Sequence, residues 1–549
     1  MRIGREVRLL GIRPPEVSLS LSNYPEAGRS VCVSPNNTRT PSLGLHHVAT
    51  VARRELEERG YDVGLSLMDM AIAAPTTLSD YGGSFCSKQV VPYGRGQVTK
   101  RLRGMPLSAL PKAVGEADIV FLTSPFTSNA ASVAQTALAV KALDPKVKVL
   151  VGGRDAQHRP EWYLTHGFDV VFLGQAEGLL GAVIDAAMHD VSLRDLPGIA
   201  TREDPIGRMG PRVAFTPEAG VKSLTAKVTA VLRDADIRRV TLPDFSLLDL
   251  SAYDRSSDGL FPAGVEGPAM WYQTSVGCPR ECSFCASAGN PYLFLEVGRV
   301  EEMLQHYASC GIKTLLSAED NFLARLLKQP DAGERDIITI MSLIKEYGFS
   351  HEFTDGLEVG LLMDKSGRLR LRLIEALFGT QKQGDRLVGT HRLYWPVETF
   401  IDRASFSKLA VKSAHYEILE AVLDQGIPQI GFGTILFRDT DADRLRRMED
   451  EMEEFVEWMR QHQGGTEWRL AVFHELPLVG SRNYGRLRDS VAFAIEDDSE
   501  LWALPINPLN GTHYPYDALF EIKRAQMLAF DPEALAEWDR SGQYSLSEK

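Results

Sequence analysis

Apolar and polar positions alternate along this chain in two separate blocks. Within residues 1–190, the runs VRLLGI (7–12), YDVGLSLMDM (61–70), ADIVFLTS (117–124), VKVLVGG (147–153) and DVVFLG (169–174) are short, partly β-branched and bounded by Gly, Pro or Asp. Such runs read as buried strands. Between the first two, Leu45, Val48, Ala49, Ala52 and Leu56 recur at helical spacing and Gly60 stands at a C-cap position, which predicts an amphipathic helix. Residues 128–143 and 176–188 carry the same period. Five strands alternating with helices predict a doubly wound, flavodoxin-like α/β sheet. Its ligand rim should lie beyond the carboxyl ends of the strands, at residues 123–127, 152–154 and 174–177.

The second block begins at Ala269. MWYQTSVG, TLLSAED, HEFTDGLEVGLLM, HRLYWPVETF, QIGFGTILF and WRLAVFHEL read as strands, with helical stretches near 298–309, 332–346, 412–424 and 441–462. Six βα-like units in roughly 200 residues predict an incomplete (β/α)6 barrel. Residues 191–265, rich in Pro, Asp, Arg and Ser, read as a structured connector, and 486–549 as an appended α-rich segment. The expected domains are therefore 1–190, the connector 191–265, the barrel 266–485 and the segment 486–549.

Composition narrows the function classes. The chain of 549 residues is 44% hydrophobic and 24% charged, the balance of a globular protein with large cores. Its net charge of −13 argues against a nucleic-acid partner. No run of about 18 apolar residues appears, so no membrane association is expected. The opening MRIGREVRLLGIRPPE has no long apolar stretch, and the expected location is cytoplasmic. In that compartment thiols stay reduced, so grouped cysteines point to metal or redox chemistry.

Three of the six cysteines are grouped. TSVGCPRECSFCASAG places Cys278, Cys282 and Cys285 after the first strand of the second block, where barrel chemistry is generally found. Three thiolates on one loop leave tetrahedral zinc without a fourth protein ligand, the next histidine being His306 on a predicted helix. An iron–sulfur cluster with one iron free for a ligand fits better. Zinc and structural or redox thiols stay open as readings. Cys32, Cys86 and Cys310 stand alone and read as small buried hydrophobes.

CPRECSFC resembles the signature of radical S-adenosylmethionine (SAM) enzymes. The resemblance implies that Cys278, Cys282 and Cys285 bind a [4Fe–4S] cluster whose fourth iron takes SAM, with Phe284 against the adenine; core packing is the competing reading of Phe284. LLSAEDNF (315–322) is similar to the polar strand end near the methionine moiety, which makes Glu319, Asp320 and Asn321 candidates; a helix N-cap is the competing reading. YWPVETF (394–400) resembles a strand of cobalamin-dependent relatives with an inward glutamate, here Glu398. That carboxylate needs a partner among apolar neighbours, as an ion pair or as a cofactor contact. GFGTILF (431–437) resembles a strand whose small residues admit the adenosyl group, and ELPLVGSRNY (475–484) a following Pro–Gly turn.

PSLGLHHVATVARRELEERGYDV, TSPFTSNAASV and VLVGGRDAQHRPEWYLTHGFDVVFLGQAEGLL resemble the cobalamin-binding domain that precedes the barrel in B12-dependent members of that family. By this resemblance Ser124, Thr127, Gly152, Gly153, Gly174 and Glu177 contact cobalamin. Two departures stand out. The region IRPPEVSLSLS has no histidine where many relatives carry a cobalt ligand, and Gly-Gln-Ala-Glu (174–177) replaces Gly-Glu-Gly-Glu. The lower cobalt face is thus expected to lack histidine, with His46 and His47 as surface or capping residues.

The resemblance implies a cobalamin-dependent radical SAM C-methyltransferase. It would act on an unactivated carbon of a small molecule, such as a specialised metabolite, through a 5′-deoxyadenosyl radical and methylcobalamin. A flavodoxin or ferredoxin would supply electrons. The alternatives are a cyclising or rearranging enzyme with both cofactors, a cluster enzyme without cobalamin, and a non-catalytic corrinoid- or redox-sensing module.

Overall fold

The computed structural model describes residues 5–22, 31–33, 40–72, 85–93, 96–125, 127–174, 176–193, 196, 198–203, 242–253, 262–288, 292–401, 411–492 and 509–533. The chain is mixed α/β and built on two largely parallel sheets. Strands Arg5–Arg13, Tyr61–Asp69, Ile119–Thr123, Lys148–Gly152 and Val170–Phe172 run parallel, with Ile199–Thr201 antiparallel at one edge. In sequence rank their order is 2-1-3-4-5-6. The order reverses between the first and third strands, and a cleft opens there at the carboxyl ends.

The period of two explains this sheet. Val7 and Leu9 enter one apolar cluster with the helix Leu43–Glu58, while Leu10 and Ile12 enter another with the helix Ala130–Leu143. Both faces are covered, as continuous apolar runs require. Ser42 opens the helix Leu43–Glu58 by accepting from Leu45 N–H at 3.4 Å, and Gly60 follows it at φ +86°.

The second sheet holds six parallel strands in chain order: Ala269–Tyr272, Thr314–Ser317, Ser350–Phe353, Arg386–Glu398, Gln429–Leu436 and Glu467–His474. Helices Val297–Ser309, Pro330–Glu346, Leu371–Phe378, Lys412–Leu423 and Ala442–His462 connect them. Leu393, Trp395 and Val397, alternating along the longest strand, are completely buried in the apolar cluster beneath these helices. The helix Leu371–Phe378 and the antiparallel strand Thr380–Gln383 were not foreseen from the pattern.

Nor was a four-stranded antiparallel sheet of Val31–Val33, Glu16–Ser22, Gly96–Arg103 and Phe85–Tyr93. Its signal is the alternation Val17, Leu19, Leu21 against Ser18, Ser20, Ser22, which the preceding Pro14-Pro15 disguises as a loop. Much of the expected connector (204–241 and 254–261) and of the C-terminal segment (493–508 and 534–549) lies outside the described residues, as do the side chains of Cys32 and Cys86. The helix Tyr516–Phe530 is described and packs on the Glu467–His474 strand. No helix among the described residues is long and apolar enough to cross a membrane.

Candidate active site

The carboxyl ends of the two sheets line one cavity of about 620 Å³. Arg13, Thr123, Gly152, Gly153, Gly174 and Glu177 come from the first sheet's rim, and Trp271, Gln273, Ser275, Val276, Ala318 and Asp355 from the second. Leu293, Phe294, Leu295, Met303 and Tyr307 add an apolar wall. Trp271 Nε1–H donates to Thr40 Oγ1 at 2.7 Å, and Arg53 pairs with Asp244 at 2.7 Å, so the parts are joined by specific bonds.

The first rim is made largely of backbone. Gly153 sits at φ +107°, and a Cβ there would lie 2.4 Å from the Ser124 carbonyl oxygen, so only glycine fits. Behind it, Asp155 is buried and accepts from Thr127 Oγ1 (2.6 Å), Arg159 Nη2 (2.6 Å) and Tyr163 Oη (2.5 Å), while its N–H donates to the Ser124 carbonyl (3.2 Å). Ser124 and Thr127 therefore stand in this supporting network rather than on the cavity lining. Glu55 accepts from Gly178 N–H (2.6 Å) and Gly181 N–H (2.8 Å), which fixes the segment after Gly174.

His46 differs from its expected surface position. It is 1% exposed, lies 5.9 Å from the Phe245 ring, and burial lowers its pKa to about 4. One helical position further on, His47 lines the cavity with its Nε2 bonded to Glu177 Oε1 at 2.6 Å. Burial opposes ionisation of Glu177, but the His47 contact and backbone N–H bonds together outweigh it and the carboxyl stays below its ordinary range. Arg13, at the end of the first strand, is held by Asp69 (3.1 Å) and Glu16 (2.7 Å), and Tyr253 Oη–H donates to Asp69 at 2.7 Å.

The second rim is made of side chains. Glu319 is buried and turned into the strand ends, where it accepts from Thr274 N–H (2.5 Å), Thr274 Oγ1 (2.7 Å) and Ser275 Oγ. Asp320 accepts from Gly277 N–H (3.0 Å) and Ser287 Oγ (2.6 Å), and its two oxygens share Arg154 Nη2 (2.9 and 3.2 Å). Asn321 donates to Glu358 Oε2 (2.8 Å) and points its Nδ2 at Cys278 Sγ (3.8 Å). It precedes a short 3-10 turn without capping it through its side chain. Glu358 also bonds Arg280, inside the cysteine loop.

Cys278, Cys282 and Cys285 are thiols outside any disulfide, half-buried on that loop. Ser287 N–H donates to Cys285 Sγ at 3.4 Å, and Asn483 N–H holds the Ser283 carbonyl at 3.0 Å. Among the described residues no three His, Cys, Asp or Glu side chains converge as a single metal ion requires. A four-iron cluster takes each thiolate on a different iron and needs no such convergence. N–H groups aimed at two of the thiols are the kind of contact that tunes cluster sulfurs. The donor set thus fits a cluster better than a lone ion.

Phe284 meets Phe437 edge-on with ring centroids 6.0 Å apart. Glu398 is 8% exposed, at a register shift in its strand, and adopts φ +58°. A glutamate in the left-handed region stores backbone strain of the kind found at functional sites. Gly433 has no room for a side chain because the Tyr394 hydroxyl occupies that space, whereas Gly431 is open. The expected rim at 152–154 includes Arg154 but gives it no role, and Arg280, Asp355, Glu358 and Asn483 were not singled out from the sequence. Arg154 meets Asp320 across 166 positions, Arg280 meets Glu358 across 78 and Asn483 meets Ser283 across 200, although Asn483 also donates to Glu475 only eight positions away.

No family model and no curated protein matches the chain. Among solved structures it is similar to the radical S-adenosylmethionine methyltransferase TsrM from Kitasatospora setae with cobalamin and a [4Fe–4S] cluster bound. The TM-score is 0.53 at 13% identity, covering 96% of this chain and 82% of that one. The same enzyme with tryptophan substrate and the SAM analogue aza-SAM gives a TM-score of 0.51 at 13% identity, with 95% and 83% covered. At this identity the likeness is one of fold, and it runs across both sheets.

Proposed function

We propose that the chain is a cobalamin-dependent radical SAM C-methyltransferase acting on an unactivated carbon of a small molecule. Residues 1–190 would hold cobalamin, and residues 266–485, read as a partial (β/α)6 barrel, would hold the cluster and SAM. The carrying observation is the single cavity between the two rims, whose lining reaches Ser275 and Val276 beside the cysteine loop. A fold shared with a methyltransferase solved with cobalamin and a [4Fe–4S] cluster supports this reading.

When bound, the cofactors supply a hydrogen-abstracting carbon radical and a transferable methyl group. The chain's own residues position and shield. Cys278, Cys282 and Cys285 would hold the cluster, and the glycine rim at 152–153 would let the corrin approach the backbone. The apolar wall from Leu293 to Tyr307 excludes water from a reactive radical and favours a small apolar substrate. A second structure of the same fold holds tryptophan, a substrate of that size class.

The test is anaerobic turnover of reconstituted protein with candidate substrates, read by mass spectrometry. Methyl transfer predicts a product heavier by one methylene, with 5′-deoxyadenosine and S-adenosylhomocysteine formed one to one. A product of unchanged carbon count without S-adenosylhomocysteine would instead establish cyclisation or rearrangement.

A further inference from the structure

Arg154 belongs to the first sheet's rim by sequence and to the cysteine loop by contact. It follows Gly153, whose backbone lines the cavity and packs on Ser124 too closely to admit a Cβ. Asp155, next in sequence, is anchored by Thr127, Arg159 and Tyr163. Arg154 therefore starts from a rigid base. Its guanidinium crosses to the other half, donating to both carboxylate oxygens of Asp320 (2.9 and 3.2 Å) and to Ser287 Oγ. Ser287 in turn donates to Asp320 and, through its N–H, to Cys285 Sγ. Asp320 also holds Gly277 N–H, one residue before Cys278. Both ends of the cysteine loop thus hang on Asp320, and Asp320 is neutralised from the other half of the molecule. On the far side of the loop, Arg280 and Glu358 form their own pair.

A planar guanidinium suits this place because three acceptor contacts lie in its reach at once; an ammonium would keep the charge but lose the fork. Adding an electron to a cluster is favoured by a nearby positive charge and opposed by a negative one. Resting on the cluster reading above, we propose that Arg154 is a positioning residue that fixes the cysteine loop from the opposite half and makes the cluster easier to reduce. Because Gly153 is on the cavity wall, a ligand seated there would also be felt at the cluster through this link.

The test is a redox titration of reconstituted, SAM-free protein followed by electron paramagnetic resonance, with iron content measured for each variant. Arg154→Gln leaves Asp320 unneutralised and should lower the reduction equilibrium by about tenfold, ~59 mV for a one-electron couple. Arg154→Lys should shift it less. Asp320→Asn removes the negative partner and should shift it the opposite way. A purely structural role gives no such reversal of sign. Loss of iron in Arg154→Gln with retention in Arg154→Lys would also support the assignment. Four irons with an unchanged potential in Arg154→Gln, shifts of the same sign in Arg154→Gln and Asp320→Asn, or iron loss in both Arg154 variants would overturn it. Failure of the wild-type protein to hold four irons would instead remove the cluster reading itself.

Discussion

The two rims that face each other across the cavity are built by opposite means. The first offers backbone, with Gly152, Gly153 and Gly174 bare and their polar support hidden behind them. Behind the second, off the cavity lining, stand carboxylates and an amide already committed to one another and to the cysteine loop. A bare rim lets a large planar ligand come close, and a cross-linked rim holds a small loop still. One wall is shaped to receive and the other to hold.

If that contrast is right, damage to each rim should be separable. Replacing Cys278, Cys282 and Cys285 together by Ala should abolish bound iron and its visible absorbance while leaving cobalamin binding intact. Retention of four irons would contradict the assignment.

Gly153→Ala attacks the other wall. Its Cβ would overlap the Ser124 carbonyl, and φ +107° is strained for alanine, costing about 1–3 kcal/mol. Thermal unfolding should report that loss, equilibrium dialysis should show weaker cobalamin binding, and iron content should not change. Equal loss of iron and cobalamin would mean that the two rims do not act separately.

A finer difference concerns nitrogen. His47 is on the cavity wall, but its Nε2 is engaged by Glu177. The cob(II)alamin spectrum should therefore lack superhyperfine splitting from a protein nitrogen, and His47→Ala should leave it unaltered. A splitting that disappears in that variant would place His47 on cobalt.

The smallest effect is expected at Asp355, on the cavity side of the second rim. Burial, reinforced by Asp320, pushes its carboxyl up to about 7. An unfolded chain gives up this proton near pH ~4. Between about pH 4 and 7 the folded protein then holds a proton that the unfolded chain does not, so this group makes stability fall as pH rises. In cofactor-free protein, Asp355→Asn should match wild type at pH 4 and gain on it by pH 8 in thermal unfolding. An unchanged difference across that range would show that Asp355 titrates normally.

The parallel strands of both sheets were legible because each is a short apolar run between breakers, and the cysteine loop because its spacing is local; the antiparallel edge strands Ile199–Thr201 and Thr380–Gln383, short and without such a run, were not. The Gly152-Gly153 strand end was legible for the same reason. The polar brackets were not. Arg154 meets Asp320 across 166 positions and His47 meets Glu177 across 130, and no periodicity encodes such a meeting. His46 and His47 show the limit within one turn of helix. The pattern placed both residues on a helix, but only packing against Phe245 and the second sheet decides which is buried and which reaches the cavity.

The central claim is that two cofactors share one cavity, each held by a different rim. Pulsed electron paramagnetic resonance on protein carrying cob(II)alamin and a reduced cluster measures it most directly. A dipolar coupling between the two spins is expected, whose signal vanishes with the iron in the triple Cys-to-Ala variant and loses modulation depth, at unchanged frequency, as cobalamin occupancy falls in Gly153→Ala. Full occupancy by both cofactors with no coupling between them would contradict it.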